Sequence, residues 1–288
     1  MRFIPSYIYK KLKLVMLMNK AVIKATIAPI MPEPGCVHPL SDECLHGMVV
    51  KILNCVTCEG EDWFYVETHY RYRGYISGKF LSFGNVERWS EGGNFLVVEG
   101  FSADVTDKPD VRGRIVKNLT RGCVVKAAGE NLRGYEAVEL ADGSFGFVRT
   151  KLLVFLDKPI SNEALLRKNV LKTAETYLGS PYRWGGKTPF GIDCSGLCSM
   201  AYLLNGVAIY RDAEIKEGFT VKKIPFEQIQ TADLIYFKGH VAMYAENGRY
   251  IHSSAGNDGV YYNSFNKNDV DYREDLAGTV KYCGSIFA

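Results

Sequence analysis

The residues best suited to chemistry lie at positions 191–198, GIDCSGLC, where two cysteines stand four positions apart. Four roles are open to such a pair: half of a metal site, an arm of a disulfide, core packing, or a nucleophile. Cys194 follows a Gly-rich loop and opens a predicted helix, where free backbone N–H groups and the helix dipole favour the nucleophilic thiolate. Cys198 lies one turn further along the same helical face, and its apolar neighbours favour core packing.

Two of the chain's five histidines, His240 and His252, follow this segment. Both lie on predicted strands, at the ends of one hairpin whose turn is Glu246-Asn247-Gly248. Pairing across an antiparallel ladder would allow one imidazole to orient the other. A lone histidine on a strand is more often structural, so spacing alone leaves a Cys-His-His triad and two structural histidines open.

The elements that must position these residues follow from hydrophobic periodicity. SNEALLRKNVLKTAETYLG predicts an amphipathic helix with Ser161 as its N-cap and Gly179 as its stop. A second helix is expected from Asp193 or Cys194 through Leu204. The segments ADLIYF and HVAMYAENGRYIHSS then predict antiparallel strands, which makes this part of the chain an α+β domain.

The first half of the chain contains an internal repeat. HGMVVK at 46–51, WFYVE at 63–67 and GYISGKFLSF at 74–83 recur as RGCVVK at 121–126, YEAVE at 135–139 and GFVRTKLLVF at 146–155. Upstream, APIMPEP at 28–34 matches ADVTDKP at 103–109. Short alternating β-branched and aromatic runs predict a small antiparallel barrel for each copy, with residues 84–94 as the linker.

Composition narrows the class of protein. A chain of 288 residues predicts two or three structural units, and 47% hydrophobic with 23% charged residues is typical of a globular protein. A net charge of +3 is too small to indicate nucleic acid or an anionic membrane as partner. The lone CxxC at Cys55 and Cys58 lacks a second pair at zinc spacing, so reduced, mostly buried thiols are favoured and no metal is predicted.

The N-terminus allows two interpretations. Its basic start and apolar run are interrupted by Asn19, Lys20 and Lys24, and no clean cleavage site follows. The run is too short and too charged for stable membrane insertion. A weak secretory signal and a ragged extension ahead of a strand at 21–30 stay open, so the expected compartment is cytoplasmic, or periplasmic or extracellular if a signal operates.

Three segments together carry a family resemblance: YRWGGKTPFGIDCSGLCSMAY, ADLIYFKGHVAMY and YIHSSAGNDGV. Across roughly residues 165–288 they resemble the NlpC-type papain-like cysteine peptidases, and the two repeats resemble bacterial SH3-like domains. This layout is similar to that of the γ-D-glutamyl-L-diamino-acid endopeptidases of the muropeptide-recycling type. It implies an extension (1–18), two small all-β SH3-like barrels (19–90 and 95–156) and an α+β papain-like peptidase domain (160–288).

The resemblance also implies catalytic roles. Cys194 would be the nucleophile, His240 the general base, and His252 the residue that orients His240 through its other ring nitrogen. Tyr182 would lend its hydroxyl to the oxyanion site beside the Cys194 backbone N–H. Packing in the loop is the alternative for Tyr182.

Further residues would bind substrate, by the same resemblance. Asp193 and Ser195 would bind a free α-amine, and Arg211 with Asp212 would form the wall of the S2 site. In the first barrel, a glutamate and a tyrosine that restrict the groove would be Glu43 and Tyr72; a solvated loop charge and a barrel-packing residue are the alternatives.

The chain departs from the family pattern at three places. Ala232 stands where a Gly usually precedes Asp-Leu, and Lys216 stands where a Gln is common, which leaves that wall of the groove in doubt. Lys238 and Gly239 alone separate the IYF strand from His240, so the substrate side of the base is expected to be more open.

The predicted function is therefore hydrolysis of the D-Glu–diamino-acid bond in a short peptide, L-Ala-γ-D-Glu-diamino acid, that has a free N-terminal L-Ala. The enzyme would act as a monomer without metal or organic cofactor. One alternative is a secreted hydrolase of stem peptides in intact peptidoglycan. The other is a catalytically inactive peptidoglycan-binding module, against which the joint presence of Cys194, His240 and His252 argues.

Overall fold

The computed structural model describes residues 19–84, 86–91, 93–155 and 160–288. The expected extension 1–18 lies outside the described residues. The chain divides into two compact units, Met1–Leu156 and Asp157–Ala288. In the part of the chain that is described, no helix is both long and apolar enough to span a bilayer.

The first unit contains two successive sets of short strands. The first set is β1 (Lys20–Ile23), β2 (Ile27–Ile30), β3 (Asp42–Leu45), β4 (Val49–Cys58), β5 (Glu61–Thr68), β6 (Arg73–Ser77) and β7 (Leu81–Ser82). A short helix, α1 (Val86–Ser90), follows it. The second set is β8 (Phe95–Val98), β9 (Ser102–Thr106), β10 (Ile115–Thr120), β11 (Val124–Leu132), β12 (Tyr135–Glu139), β13 (Phe145–Arg149) and β14 (Leu153–Phe155).

The two sets repeat one strand order. The second set forms a single sheet in the order β10-β9-β13-β12-β11-β8-β14. The first set has the sheet β6-β5-β4-β1-β7, and its β2–β3 hairpin meets β6 through the antiparallel bridge between Met31 and Tyr75. Each strand of the first set thus has a counterpart in the second, so the sequence repeat corresponds to a repeated strand arrangement.

The segment expected to be a linker, 84–94, instead contributes to the core. Trp89 of α1 is buried and packs with Val22 of the first strand set and Ala141 of the second. Its indole N–H donates to the Gly47 carbonyl at 2.9 Å. The segment connects the two strand sets, and burial of this indole adds a packing role that its composition did not indicate.

The second unit places helices ahead of an antiparallel sheet. Its first elements are α2 (Glu163–Glu175), β15 (Lys187–Thr188), β16 (Gly191–Ile192), α3 (Cys194–Leu203), β17 (Lys222–Ile224) and β18 (Leu234–Phe237). The remaining ones are β19 (His240–Tyr244), β20 (Arg249–Ser254), β21 (Gly259–Ser264), α4 (Glu274–Ala277) and β22 (Tyr282–Ser285). The sheet order is β17-β22-β18-β19-β20-β21.

Helix α2 begins one position later than expected. Asn162, not Ser161, is the N-cap, and its side-chain oxygen accepts from the Leu165 N–H at 2.9 Å. The expected stop lies beyond the helix, where Gly179 adopts a φ of 76°. Arg167 anchors the helix in the unit by an ion pair of 2.8 Å with the buried carboxylate of Asp233, which precedes β18.

Candidate active site

Helix α3 begins at Cys194 because Asp193 caps it. The Asp193 carboxylate accepts from the Gly196 N–H at 2.6 Å, as an N-cap aspartate does. Position 196 requires glycine, since a Cβ there would lie 2.2 Å from the Gly186 carbonyl oxygen. The Asp-Cys-Ser-Gly sequence thus holds the start of the helix tightly against the preceding Gly-rich loop.

A buried ionic group lies directly beneath this helix start. The Arg211 guanidinium donates to both carboxylate oxygens of Asp193, at 3.0 and 3.1 Å, and to the Ser195 hydroxyl at 2.7 Å. The other donors to the carboxylate are the N–H groups of Gly185 and Gly196 and the Ser195 hydroxyl. Arg211, only 1% exposed, therefore neutralises Asp193 and fixes the orientation of Ser195.

Asp212 lies next to this group in the chain but is half-buried rather than enclosed. Burial, and then the neighbouring Asp212 carboxylate, raises the pKa of Tyr210 to about 12. Lys216, the residue found in place of the common Gln, contacts Glu214 at 3.4 Å and lies 5.5 Å from the Tyr210 ring centre. Of the two consecutive residues Arg211 and Asp212, the first is therefore buried inside the protein and the second lies near its surface.

The Cys194 side chain is buried, at 8% exposure, and that burial decides its protonation. Desolvation, with a smaller contribution from Asp193, raises the pKa of the thiol to about 11, although the N–H groups of Val241 and Ser195 act in the opposite direction. Backbone N–H groups at the helix start do favour the thiolate, but burial acts more strongly in the opposite direction. Cys198 is buried one turn further on, as expected of a packing residue.

His240 and His252 are hydrogen-bonded to each other. The Nε2 of His240 lies 2.7 Å from the Nδ1 of His252. The register pairs Met243 with Ile251, so the two histidines are not directly opposite on β19 and β20. The Val241 N–H that reaches the Cys194 sulfur belongs to the residue after His240, which brings this strand end to the thiol.

Both imidazoles are neutral at physiological pH. Burial, followed by the neighbouring His252, lowers the pKa of His240 to about 3. Burial also lowers the pKa of His252 to about 4, although its hydrogen bond with Asn263 acts in the opposite direction. A neutral imidazole beside a neutral thiol can accept the thiol proton, which is the role of a general base.

Tyr182 lies close to the thiol on the loop before β15. A parallel bridge joins it to Ile192, the residue before Asp193. Burial raises the pKa of its hydroxyl to about 12, and Cys194 and Asp193 contribute in the same direction. Tyr182 therefore carries a protonated hydroxyl near Cys194, which can donate to an oxyanion.

The two residues expected to restrict the groove lie in the first unit. Glu43 is 3% exposed and pairs with Pro29 across β2 and β3, so it is not a solvated loop charge. Tyr72 is half-buried, and its backbone N–H donates to the Thr68 hydroxyl at 2.9 Å. Among the described residues no three His, Cys, Asp or Glu side chains group as metal ligands.

The sequence analysis missed the polar residues behind His252. Asn263 of β21 accepts from the His252 ring at 2.7 Å, and Asn257 donates to the same amide oxygen at 2.9 Å. The available signal was alternation along β21: Tyr261 pairs with His252, and Asn263 lies two residues further on the same strand. Finding it required the strand register, which the histidine motif alone does not provide.

Comparison with known proteins agrees with this geometry. The model of the NlpC/P60 family matches residues 179–276. A relative named Dipeptidyl-peptidase 6 from Lysinibacillus sphaericus is 39% identical over 273 residues, which cover 93% of this chain and 99% of the relative. The chain belongs to the NlpC/P60 family. It is therefore related over 93% of its length to a peptidase, a hydrolase whose family generally uses a catalytic cysteine.

Two further relatives define the extent of the similarity. Gamma-D-glutamyl-L-lysine dipeptidyl-peptidase from Bacillus subtilis (strain 168) is 35% identical over 105 residues, 33% of this chain and 34% of that protein. The crystal structure of an NlpC/P60 family protein from Bacillus cereus ATCC 10987 superposes with a TM-score of 0.74 at 22% identity, over 92% of this chain and 98% of that one. The superposition on the Bacillus cereus structure shows a shared fold.

Proposed function

We propose that this NlpC/P60 peptidase is a γ-D-glutamyl-L-diamino-acid endopeptidase acting on short peptides derived from peptidoglycan. The observation that carries the proposal is the buried Cys194 thiol at a helix start, next to the end of β19, whose His240 is hydrogen-bonded to His252 of β20. The name of the Bacillus subtilis relative, a gamma-D-glutamyl-L-lysine dipeptidyl-peptidase, supports the choice of bond.

The proposed reaction proceeds through a thioester. His240 takes the Cys194 proton through Nδ1 as the sulfur attacks the γ-carbonyl carbon of D-Glu. The Tyr182 hydroxyl and the Cys194 backbone N–H donate to the oxyanion of the tetrahedral intermediate. As the intermediate collapses, the C–N bond breaks and His240 returns the proton to the departing amine of the diamino acid. Water, deprotonated by His240, then hydrolyses the thioester, releases L-Ala-D-Glu and restores the thiol.

The buried ionic group supports recognition of the peptide's free amine. Asp193 already accepts from Arg211 and from backbone N–H groups, so we propose that these two residues form a rigid base for the site. Recognition of the amine would then fall to the Ser195 hydroxyl, which is buried at 8% exposure and oriented by Arg211, and to the half-buried Asp212. Selection for the free amine through Glu43 and Tyr72 stays a prediction.

We further propose that the two strand sets of the first unit are SH3-like barrels. Their common strand order and the sequence blocks repeated between the two sets support this assignment. The proposed substrate, a short released peptide rather than an intact wall, fits a monomeric enzyme of muropeptide recycling in the cytoplasm.

The test is hydrolysis of L-Ala-γ-D-Glu-meso-diaminopimelate beside its N-acetylated counterpart, measured by release of the diamino acid. Cys194→Ala should abolish cleavage, whereas Cys198→Ala, on the same helix, should retain it. Cleavage restricted to the free-amine peptide supports the complete proposal. Equal cleavage of both peptides would support the proposed bond specificity but contradict selection for the free amine. A folded protein that cleaves neither peptide would contradict the proposed function.

A further inference from the structure

A chain of side-chain hydrogen bonds continues beyond the two active-site histidines to Arg273. His252 bonds through Nε2 to the Asn263 amide oxygen at 2.7 Å, and the Asn257 amide nitrogen donates to that same oxygen at 2.9 Å. Arg273 in turn donates through Nη1 to the Asn257 amide oxygen at 2.5 Å. None of the residues linked beyond His252 is among those assigned above to catalysis or substrate binding.

Each end of this chain has only one hydrogen-bonding role. A guanidinium can only donate, so the side of the Asn257 amide that faces Arg273 must be its oxygen. At the other end, the Asn263 amide nitrogen donates to the backbone carbonyl of Asp271 at 2.6 Å, and a carbonyl can only accept. The orientation of both asparagine amides follows from these two fixed groups.

The orientation of Asn263 determines which nitrogen of His252 carries the proton. The Asn263 oxygen can only accept, so His252 must present Nε2–H to it. A neutral imidazole has one N–H, which leaves Nδ1 of His252 as an acceptor. His240 must then donate to it from Nε2–H across the 2.7 Å contact, and Nδ1 of His240 is left with a free lone pair.

We propose that Asn263, held by Asn257, Arg273 and the Asp271 carbonyl, is a positioning residue that sets both histidines in the Nε2–H tautomer. The inference rests on the proposed function only for its consequence: the free Nδ1 lone pair of His240 is the base that takes the Cys194 proton. In the opposite tautomer His240 would present an N–H to the thiol and would be unable to deprotonate it.

Arg273 is itself held by an ion pair, which supports the direction of this hydrogen-bond chain. Its Nε and Nη2 donate to the two carboxylate oxygens of Asp275 at 2.7 and 2.6 Å. The ion pair also places a positive and a negative charge near the histidines, with opposite effects on the pKa of each. The pair therefore fixes hydrogen-bond direction while adding little net charge.

The direct test is the tautomeric state of each histidine in the full-length protein, read from long-range ¹H–¹⁵N correlations of the imidazole rings at pH 7.5. His240 and His252 should both be protonated at Nε2. His46 provides an internal reference of opposite type, since its Nδ1 faces the Lys24 carbonyl and its Nε2 accepts from the Ala141 N–H. An Nδ1–H tautomer at His240 or His252 would overturn the inference.

Variants at Asn263 supply a second readout. Asn263→Leu removes the acceptor and should lower kcat by about 10- to 100-fold with KM little changed, and the His252 tautomers should become mixed. Asn263→Asp keeps the acceptor for His252 but loses the donor to the Asp271 carbonyl, so it should recover kcat only in part, to within about tenfold of wild type. Asn266→Leu, in the loop after β21 and without contact to the histidines, is the matched control and should behave as wild type.

The outcomes separate this inference from the proposed function. Nε2–H tautomers in a protein that cleaves no peptide would support the inference and contradict the function. Peptide cleavage by a protein whose His240 carries Nδ1–H would do the reverse. Equal loss of kcat in Asn263→Leu and Asn263→Asp, with wild-type tautomers in both, would show that Asn263 acts by packing and would overturn the positioning role.

Discussion

The two units each contain buried neutral histidine, but they use it differently. In the first unit, His46 bonds through Nδ1 to the Lys24 carbonyl at 2.9 Å and through Nε2 to the Ala141 N–H at 3.1 Å. Lys24 and Ala141 belong to the two different strand sets of that unit. Both ring nitrogens of His46 are thus occupied by backbone, and the side chain ties the strand sets together.

In the second unit, His240 has only one nitrogen committed to another side chain. That partner is His252, which is hydrogen-bonded in turn to Asn263. The second ring nitrogen of His240 is left for proton transfer. Burial lowers the pKa of His46 to about 4 as it does for His252, so a depressed pKa does not distinguish the two sites. The distinction lies in which atoms satisfy the ring: backbone on both sides indicates structure, whereas one side chain and one open nitrogen indicates function.

The largest expected effect is on activity, and it distinguishes His240 from His46. His240→Ala should lower kcat/KM by about 1,000-fold or more, because it removes the general base. The free energy of unfolding should change by only about 1 kcal/mol, since the site is half-buried at the end of a strand. Steady-state kinetics and urea unfolding of the same preparation measure both quantities. Retention of activity in this variant would show that another group accepts the thiol proton.

The reciprocal change at His46 should affect stability rather than catalysis. His46→Ala leaves the buried Ala141 N–H without its acceptor, whereas the Lys24 carbonyl still accepts from Lys117 Nζ at 2.8 Å. The expected cost is about 2 kcal/mol in the free energy of unfolding. Urea unfolding measures the loss, and the folded fraction should retain wild-type kcat. His69→Ala, at an exposed position in the same unit, is the control and should change stability little. A large fall in kcat of folded His46→Ala would remove the distinction between the two sites.

The folded state should lose stability in acid, with His46 as one identifiable source. Burial and then Lys117 lower its pKa from 6.5 to about 4, while Asp142 and the backbone act in the opposite direction. Above pH 6.5 the ring is neutral in both folded and unfolded chains. Below it the unfolded chain takes up a proton first, so stability falls until about pH 4, by about 3 kcal/mol in total.

The measurement is urea unfolding across this range for wild type and His46→Asn. Asparagine places an N–H where Nδ1 donates but does not titrate, so the variant should be less stable at pH 7.5 and lose less on acidification. His240 and His252 shift in the same direction, and the pH dependence that persists in the variant belongs in part to them. Identical slopes for the two proteins would show that His46 is not a source of acid sensitivity.

Local sequence patterns were sufficient for much of the fold. Asn247 and Gly248 both adopt positive φ, as a tight hairpin turn requires, and Asp193 caps α3 directly before Cys194. The repeated blocks became two sets of strands in one order. These features depend on residues close together in sequence or on comparison of the chain with itself.

Features that depend on long-range packing were not predictable in this way. The position of Cys194 at a helix start indicated groups that favour its thiolate, but the burial that raises its pKa could not be read from the sequence. Trp89 lay in an expected linker, and its role emerges only where both strand sets meet it. His46 gave no signal at all, because its partners are backbone groups far from it in sequence, which any residue type provides.

The smallest expected effect tests whether nearby charge matters less than the hydrogen bonds. Asp142 lies near His46 and pairs with Lys117 at 2.9 Å, where its side chain is 33% exposed. Asp142→Asn should lower the free energy of unfolding by only about 0.5 kcal/mol, because partly exposed ion pairs contribute little. Loss of the carboxylate should also increase the loss of stability in acid, since Asp142 acts to raise the pKa of His46.

Urea unfolding at pH 7.5 and pH 5 measures both effects. The control is Asp107→Asn, whose ion pair with Arg114 is more exposed. A loss as large as that of His46→Ala would mean that charge, rather than the two backbone hydrogen bonds, holds His46 in place.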